Sequence, residues 1–189
     1  MNTAENIKKQ KFLRKNGTIL FITLMNMFIP LSTDLYLPAL PTMSGHFNAS
    51  ASLVNLTLVS FFFFFACGTI FFGPLCDKYG RRKVLILSSA MYTLASACCA
   101  LSPNVYIMIV ARVFQGISAG GIISASTVLV KDCFAGRQRE TILAVVQSAS
   151  GLAPMLAPVL GAFLLKITDW RGAFEVLTAA GVICLVLSV

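Results

Sequence analysis

Six apolar stretches, each long enough to cross a bilayer, take up almost the whole chain: Gly17–Leu40, Ser52–Phe72, Val84–Leu101, Val105–Val130, Thr141–Leu165 and Gly172–Val189. Each holds 18 to 26 residues, and a helix needs roughly 20 to cross about 30 Å of hydrocarbon at about 1.5 Å per residue. Barrel strands would alternate apolar and polar side chains over about ten residues, and these stretches do not. The reading is an all-α membrane protein, a six-transmembrane-helix bundle over residues 17–189 behind a polar tail, residues 1–16. Composition agrees: 57% of residues are hydrophobic and only 12% charged, against about a quarter charged in soluble domains. That balance excludes a disordered chain, a coiled coil and a nucleic-acid-binding domain, because the net charge of +8 is spread thinly over a greasy sequence. A cleaved secretory signal is excluded as well, because the first stretch is longer than an h-region, contains Asp34 and lacks a small-residue cleavage site.

Lysine and arginine in the connections set the orientation. The tail carries Lys8, Lys9, Lys11, Arg14 and Lys15; the connection after the second stretch carries Lys78, Arg81, Arg82 and Lys83; that after the fourth carries Lys131, Arg137 and Arg139. The alternate connections hold only Lys166 and Arg171. Twelve cations against two predict a cytoplasmic N-terminus and a multi-pass protein of the inner, cytoplasmic membrane. The positive charge is a topology signal.

Other chemistry-bearing residues read blandly. Cys67, Cys76, Cys98, Cys99, Cys133 and Cys184 form no C-x-x-C pair, and they read as small apolar side chains in helix packing. The single histidine, His46, falls in the first outer connection without a metal-binding partner. Asn48-Ala49-Ser50 fits a glycosylation acceptor, a triplet common by chance. No phosphate-binding loop or nucleophile–base set is present in the sequence, so no enzyme, cofactor or metal centre is expected. Phe61 to Phe65 wrap around the second helix, so most of them face lipid or neighbouring helices.

Asp34 and Arg112 are the two ionisable residues well inside a span; Glu175 lies near a span end. A charge at a helix centre costs roughly 2.5–3.5 kcal/mol to insert, so such residues face a cavity or one another. Asp34 lies six residues from the outer end of the first stretch and Arg112 seven residues into the fourth, depths of about 9 and about 10 Å at helical rise. Matching depths predict one shared polar site in which the two can pair. A buried ion pair that merely holds two helices together is the structural alternative. The functional reading is a proton and substrate switch: a carboxylate balanced between desolvation and a nearby cation can take up a proton in one state and release it in another. Asn26, Gln115 and Gln147 are polar residues suited to line the same cavity, or to act as ordinary interhelical glue. Gln115 shares a helix face with Arg112, and Gly116-x-x-x-Gly120 permits close helix approach.

Three motifs carry a family resemblance. The connection Gly73-Pro-Leu-Cys-Asp77-Lys-Tyr-Gly80-Arg81-Arg82-Lys83 reads as a tight turn between antiparallel helices. It resembles the major facilitator superfamily signature G-x-L-x-D-x-x-G-R-[RK], whose charges, by that resemblance, stabilise the outward-facing state. Arg112-Val-Phe-Gln115-Gly116 is similar to the family's fourth-helix motif, in which the arginine is given a proton-transfer role. Gly151, Pro154, Pro158 and Gly161 make a bent, close-packed fifth helix. They also resemble the antiporter signature G-x-x-x-G-P-x-x-G, with Ala157 standing where the signature has glycine.

Asp34-Leu-Tyr-Leu-Pro38-Ala-Leu-Pro41 further resembles the first helix of the Bcr/CflA drug-resistance exporters, and Trp170-Arg171 before the sixth stretch fits the same branch. The resemblance implies the N-terminal half of a major facilitator fold, two three-helix repeats of inverted topology. It implies drug:H+ antiport of bicyclomycin- or chloramphenicol-type compounds, with a drug-like substrate, protons and the lipid bilayer as partners and the proton gradient as the driving force. The alternatives are a metabolite transporter of the same fold, or a truncated non-transporting fragment. Because 189 residues match only half of such a design, activity is expected to need a second half-transporter or a homodimer.

Overall fold

The computed structural model describes residues 15–188; Lys8, Lys9, Lys11 and Arg14 of the expected tail, the side chain of Cys133, and Val189 lie outside the described residues. The described chain is helical, with no strand. Its elements are α1 (Lys15–Asp34), a 3-10 turn (Leu37–Ala39), α2 (Leu40–Phe47), α3 (Ala51–Tyr79), α4 (Arg81–Ala100), α5 (Val105–Cys133), α6 (Gly136–Ile167) and α7 (Arg171–Ser188). Six spans are long and apolar enough to cross a membrane, the first comprising α1, the 3-10 turn and α2.

Local chemistry sets the breaks. The first span is not one helix to Leu40: α1 ends at Asp34. Proline has no N–H, so Pro38 leaves the carbonyl of Asp34, four residues back, without its helical donor. The residue before a proline also disfavours helical dihedrals, which acts on Leu37 and again on Leu40 before Pro41. The chain restarts as a short helix with proline in its first turn. Asn48, in the left-handed region at φ 47°, ends α2, and Ser50 caps α3 by accepting from Leu53 N at 3.3 Å. The sequon thus has a structural use at both of its polar positions. Asn104 caps α5 in the same way, accepting from Ile107 N at 2.9 Å.

The second span also departs from expectation. Residues 73–79 of the signature are the last two turns of α3 rather than a loop, and α3 and α4 are joined by Gly80 alone. At φ +88° that residue reverses the chain in a conformation that side-chain-bearing residues rarely adopt.

Small residues decide the packing. A Cβ on Gly116 would lie 2.5 Å from Phe61 O, one on Gly120 2.5 Å from Thr69 N, and one on Gly68 2.5 Å from Ile117 O. The Gly116-x-x-x-Gly120 spacing therefore brings the α5 and α3 backbones together, with Gly68 completing the contact from the other side. On α6, Ala153, Ala157 and Gly161 form a buried stripe at four-residue spacing against α1, and Gly161 abuts Leu35 O. Pro154 is exposed and Pro158 half-buried, so both prolines lie beside the packed stripe within a continuous helix.

The contacts follow an inverted repeat only in part. Exchanging α1, α3 and α4 for α5, α6 and α7 turns the α3–α5 contact into the α6–α1 contact, and both are extensive, whereas the extensive α4–α5 contact has only a slight counterpart between α7 and α1. The outer faces of α3 and α6 remain apolar and uncovered, with Ile70 77% and Met155 71% exposed, as lipid- or partner-facing surfaces require.

Candidate functional site

Among the described residues Arg112 is the largest fully buried side chain, at 0% exposure. Its Nη1 donates to Gln115 Oε1 at 2.7 Å and to the Ser32 carbonyl of α1 at 3.1 Å. Gln115, also fully buried, passes the contact on: its Nε2 donates to Ser96 Oγ of α4 at 2.7 Å. The Ser32 hydroxyl in turn shares a short hydrogen bond with Tyr92 of α4.

Among the described residues no carboxylate pairs with the guanidinium. Its carbon lies 4.0 Å from the centroid of Tyr36, 4.9 Å from Phe61 and 5.2 Å from Phe174. Negative ring faces at these distances attract a cation, the more so where water is absent. Arg112 Nε and Nη2 have no hydrogen-bond partner among the described residues. The Tyr36 ring is itself held, because its hydroxyl bonds to Thr57 Oγ1 at 3.2 Å and Thr57 donates onward to Val54 O. Five helices therefore converge on one cation: α1 through Ser32, α3 through Phe61, α4 through Ser96, α5 through Gln115 and α7 through Phe174.

Asp34 is the sharpest correction. No ion pair joins it to Arg112 among the described residues. Because α1 stops at Asp34, the carboxylate sits at a helix end, not one and a half turns inside it. It is partly exposed and accepts one long hydrogen bond, 3.3 Å from Thr33 Oγ1. Arg112 reaches the same segment two residues earlier, at the Ser32 carbonyl.

The polar residues expected to line one cavity separate. Gln115 is sealed in the Arg112 network. Asn26 donates to Ile22 O at 2.9 Å and to Ser126 Oγ at 3.2 Å, a bridge between α1 and α5. Gln147 is exposed on α6.

At the opposite end of the bundle the signature residues do come together. Arg81 places Nε 2.6 Å and Nη2 3.1 Å from the two carboxylate oxygens of Asp132, near the C-terminal end of α5. Asp77 stands behind it at 3.8 Å. Gly73 has open space around it, and Arg82 is exposed.

Sequence reasoning missed Asp132, Ser32, Ser96, Tyr36 and Phe174. Asp132 had one readable sign, an acid among the cations that end the fourth stretch. Tyr36 stood in the Asp34–Pro41 string without a role of its own, and Ser32, Ser96 and Phe174 are ordinary span residues until the helices are assembled.

Six apolar helices, an exposed apolar perimeter and a buried polar network at their crossing define a multi-pass helical membrane protein. Residues 22–189 match the Major Facilitator Superfamily, and the chain belongs to that family. It is 36% identical over 160 residues to an uncharacterized MFS-type transporter, YdgK, of Bacillus subtilis, covering 84% of this chain and 40% of that one. It is 30% identical to a chloramphenicol resistance protein of Pseudomonas aeruginosa, covering 85% and 39%. To the multidrug resistance protein MdtL of Shigella flexneri it is 28% identical, covering 86% and 41%. The proton:xylose symporter XylE has the same fold, with a TM-score of 0.78 at 17% identity over 90% of this chain and 43% of that one. The chain spans about 40% of the length of these curated relatives.

Proposed function

We propose that the chain is the N-terminal half of a proton-coupled multidrug exporter of the cytoplasmic membrane, its N-terminus cytoplasmic and its substrates of the chloramphenicol or bicyclomycin type. The observation that carries this reading is the separation of Asp34 from Arg112. The cation is already accommodated by a carbonyl, an amide and three rings. The carboxylate is therefore not committed to an ion pair and is free to exchange a proton for a drug-like substrate. The drug-resistance names of two relatives support the substrate class.

Alternating access rocks one half against another around a site at the bilayer midplane. The active unit on this reading includes a second half-transporter or a second copy of this chain, docked on the apolar faces left uncovered. Asp34 and Arg112 handle the proton, the signature residues Asp77, Arg81 and Arg82 hold one conformation, and the stripe beside Pro154 and Pro158 lets α6 move on α1.

The test is drug accumulation in cells expressing the chain, alone and beside the complementary half of a relative. Expression is expected to lower accumulation, and collapse of the proton gradient or Asp34→Asn is expected to restore it. Proton-driven export left unchanged by Asp34→Asn in a correctly inserted protein would sink the proposal. Proton-driven uptake of a metabolite without drug export would transfer the chain to the metabolite reading.

A further inference from the structure

The end of the bundle away from the Arg81–Asp132 pair carries a cluster that the transport reading does not use. Arg171, the first residue of α7, donates from Nε to Ala100 O, the last residue of α4, at 3.1 Å. Its guanidinium carbon lies 4.5 Å from the Trp170 ring, and its Nη2 lies 3.4 Å from Nε2 of His46 on α2. His46 in turn lies 5.6 Å from Trp170, and Phe47 lies 5.1 Å from it. One cation thus ties together α2, α4 and α7 over a tryptophan that is only 4% exposed.

The tie requires a neutral imidazole. Arg171 only donates, so His46 Nε2 must be the acceptor. A proton on Nε2 removes that acceptor and sets two cations 3.4 Å apart. The other charged side chain facing the imidazole is Asp169 of the α6–α7 connection, which lines the same hollow together with Thr42 and Thr168. No ion pair joins Asp169 to His46 or Arg171 among the described residues, so it stands by as an alternative partner for the imidazolium.

We propose that the His46–Arg171 contact is a proton-sensitive latch: protonation of His46 releases Arg171, turns the imidazole toward Asp169 and frees α2 from the Trp170 corner. The corner leads inward. Trp170 packs edge-on against Phe174 at 6.2 Å, and Phe174 is one of the three rings around Arg112. Opening the latch therefore loosens a wall of the buried cation site, whichever substrate that site serves.

His46 is the only histidine and Trp170 the only tryptophan of the chain, so each reports alone. The experiment follows Trp170 fluorescence of the intact chain in lipid nanodiscs, with a water-soluble quencher, from about pH 8 to about pH 5, where an imidazole changes charge. The expected result is a severalfold rise in quencher access on acidification. His46→Gln, whose amide oxygen accepts at every pH, stays shielded throughout, and Arg171→Gln is open throughout. The proposal is overturned if His46→Gln keeps the wild-type pH response, if Arg171→Gln remains shielded, or if acid dims the fluorescence without increasing access. That last outcome is contact quenching by the imidazolium, with the latch still shut.

Discussion

Gly120→Ala adds one methyl group where α5 meets α3, and the structure sets its cost. A Cβ at that position would lie 2.5 Å from Thr69 N, 2.6 Å from Phe65 O and 2.8 Å from the Gly68 carbonyl carbon. All three are backbone atoms, so no side chain can swing aside. Ordinary contact begins at about 3.5 Å, and the helices must part locally by about 1 Å, a gap at which facing atoms forfeit a quarter to a half of their attraction. Overpacking of this kind costs roughly 1–3 kcal/mol. Alanine's better helix propensity returns up to about 1 kcal/mol, so with the full return the net loss is up to about 2 kcal/mol. Gly151→Ala makes the same chemical change on α6, where nothing lies within 4 Å, and only the propensity gain applies. The two variants are thus expected to move in opposite directions. The assay is loss of helical circular dichroism as denaturing detergent replaces mild detergent around the purified chain. If Gly120→Ala unfolds no earlier than the parent chain, the backbones do not approach as closely as described, and the role given to Gly116 and Gly68 falls with it.

Gln115→Leu removes the acceptor of Arg112 Nη1 and the donor to Ser96, leaving a buried cation with one fewer partner. A loss of about 1–3 kcal/mol is expected, read in the same unfolding assay, whereas Gln147→Leu on the exposed face of α6 should stay within about 0.5 kcal/mol. For Arg81 and Asp132 a double-mutant cycle with Arg81→Gln and Asp132→Asn should give a coupling of only about 0.2–1 kcal/mol, because both side chains are about 40% exposed and solvent screens the pair. A larger coupling would mean that this end is more deeply buried than the structure has it.

Hydropathy placed the spans because insertion free energy adds up residue by residue along the chain, and it needs no knowledge of neighbours. Gly116-x-x-x-Gly120 likewise announced a close contact without saying with what. The reading failed where proline overrode apolarity. Leu35 to Leu40 look like more membrane helix, but Pro38 and Pro41 break the chain there, and Asp34 changes from an interior charge to a helix end. It failed again at residues 73–79, where a glycine and a proline suggested a loop and the chain stayed helical to Gly80.

What the sequence by itself determined is how many membrane spans there are, roughly where each lies, and which contain an out-of-place charge. Membership of a family followed from strings of neighbouring residues, which are also local. The tertiary structure alone decided who meets whom. Depth along a helix axis aligned Asp34 with Arg112, but contact also depends on which way each helix is turned and where it stops. With α1 ended at Asp34, Arg112 reaches the Ser32 carbonyl, Gln115 and the rings of Tyr36, Phe61 and Phe174. Arg81 finds Asp132 across 51 residues of chain by the same rule. Partners that far apart leave no periodic trace in a sequence, because their distance is set by how whole helices pack.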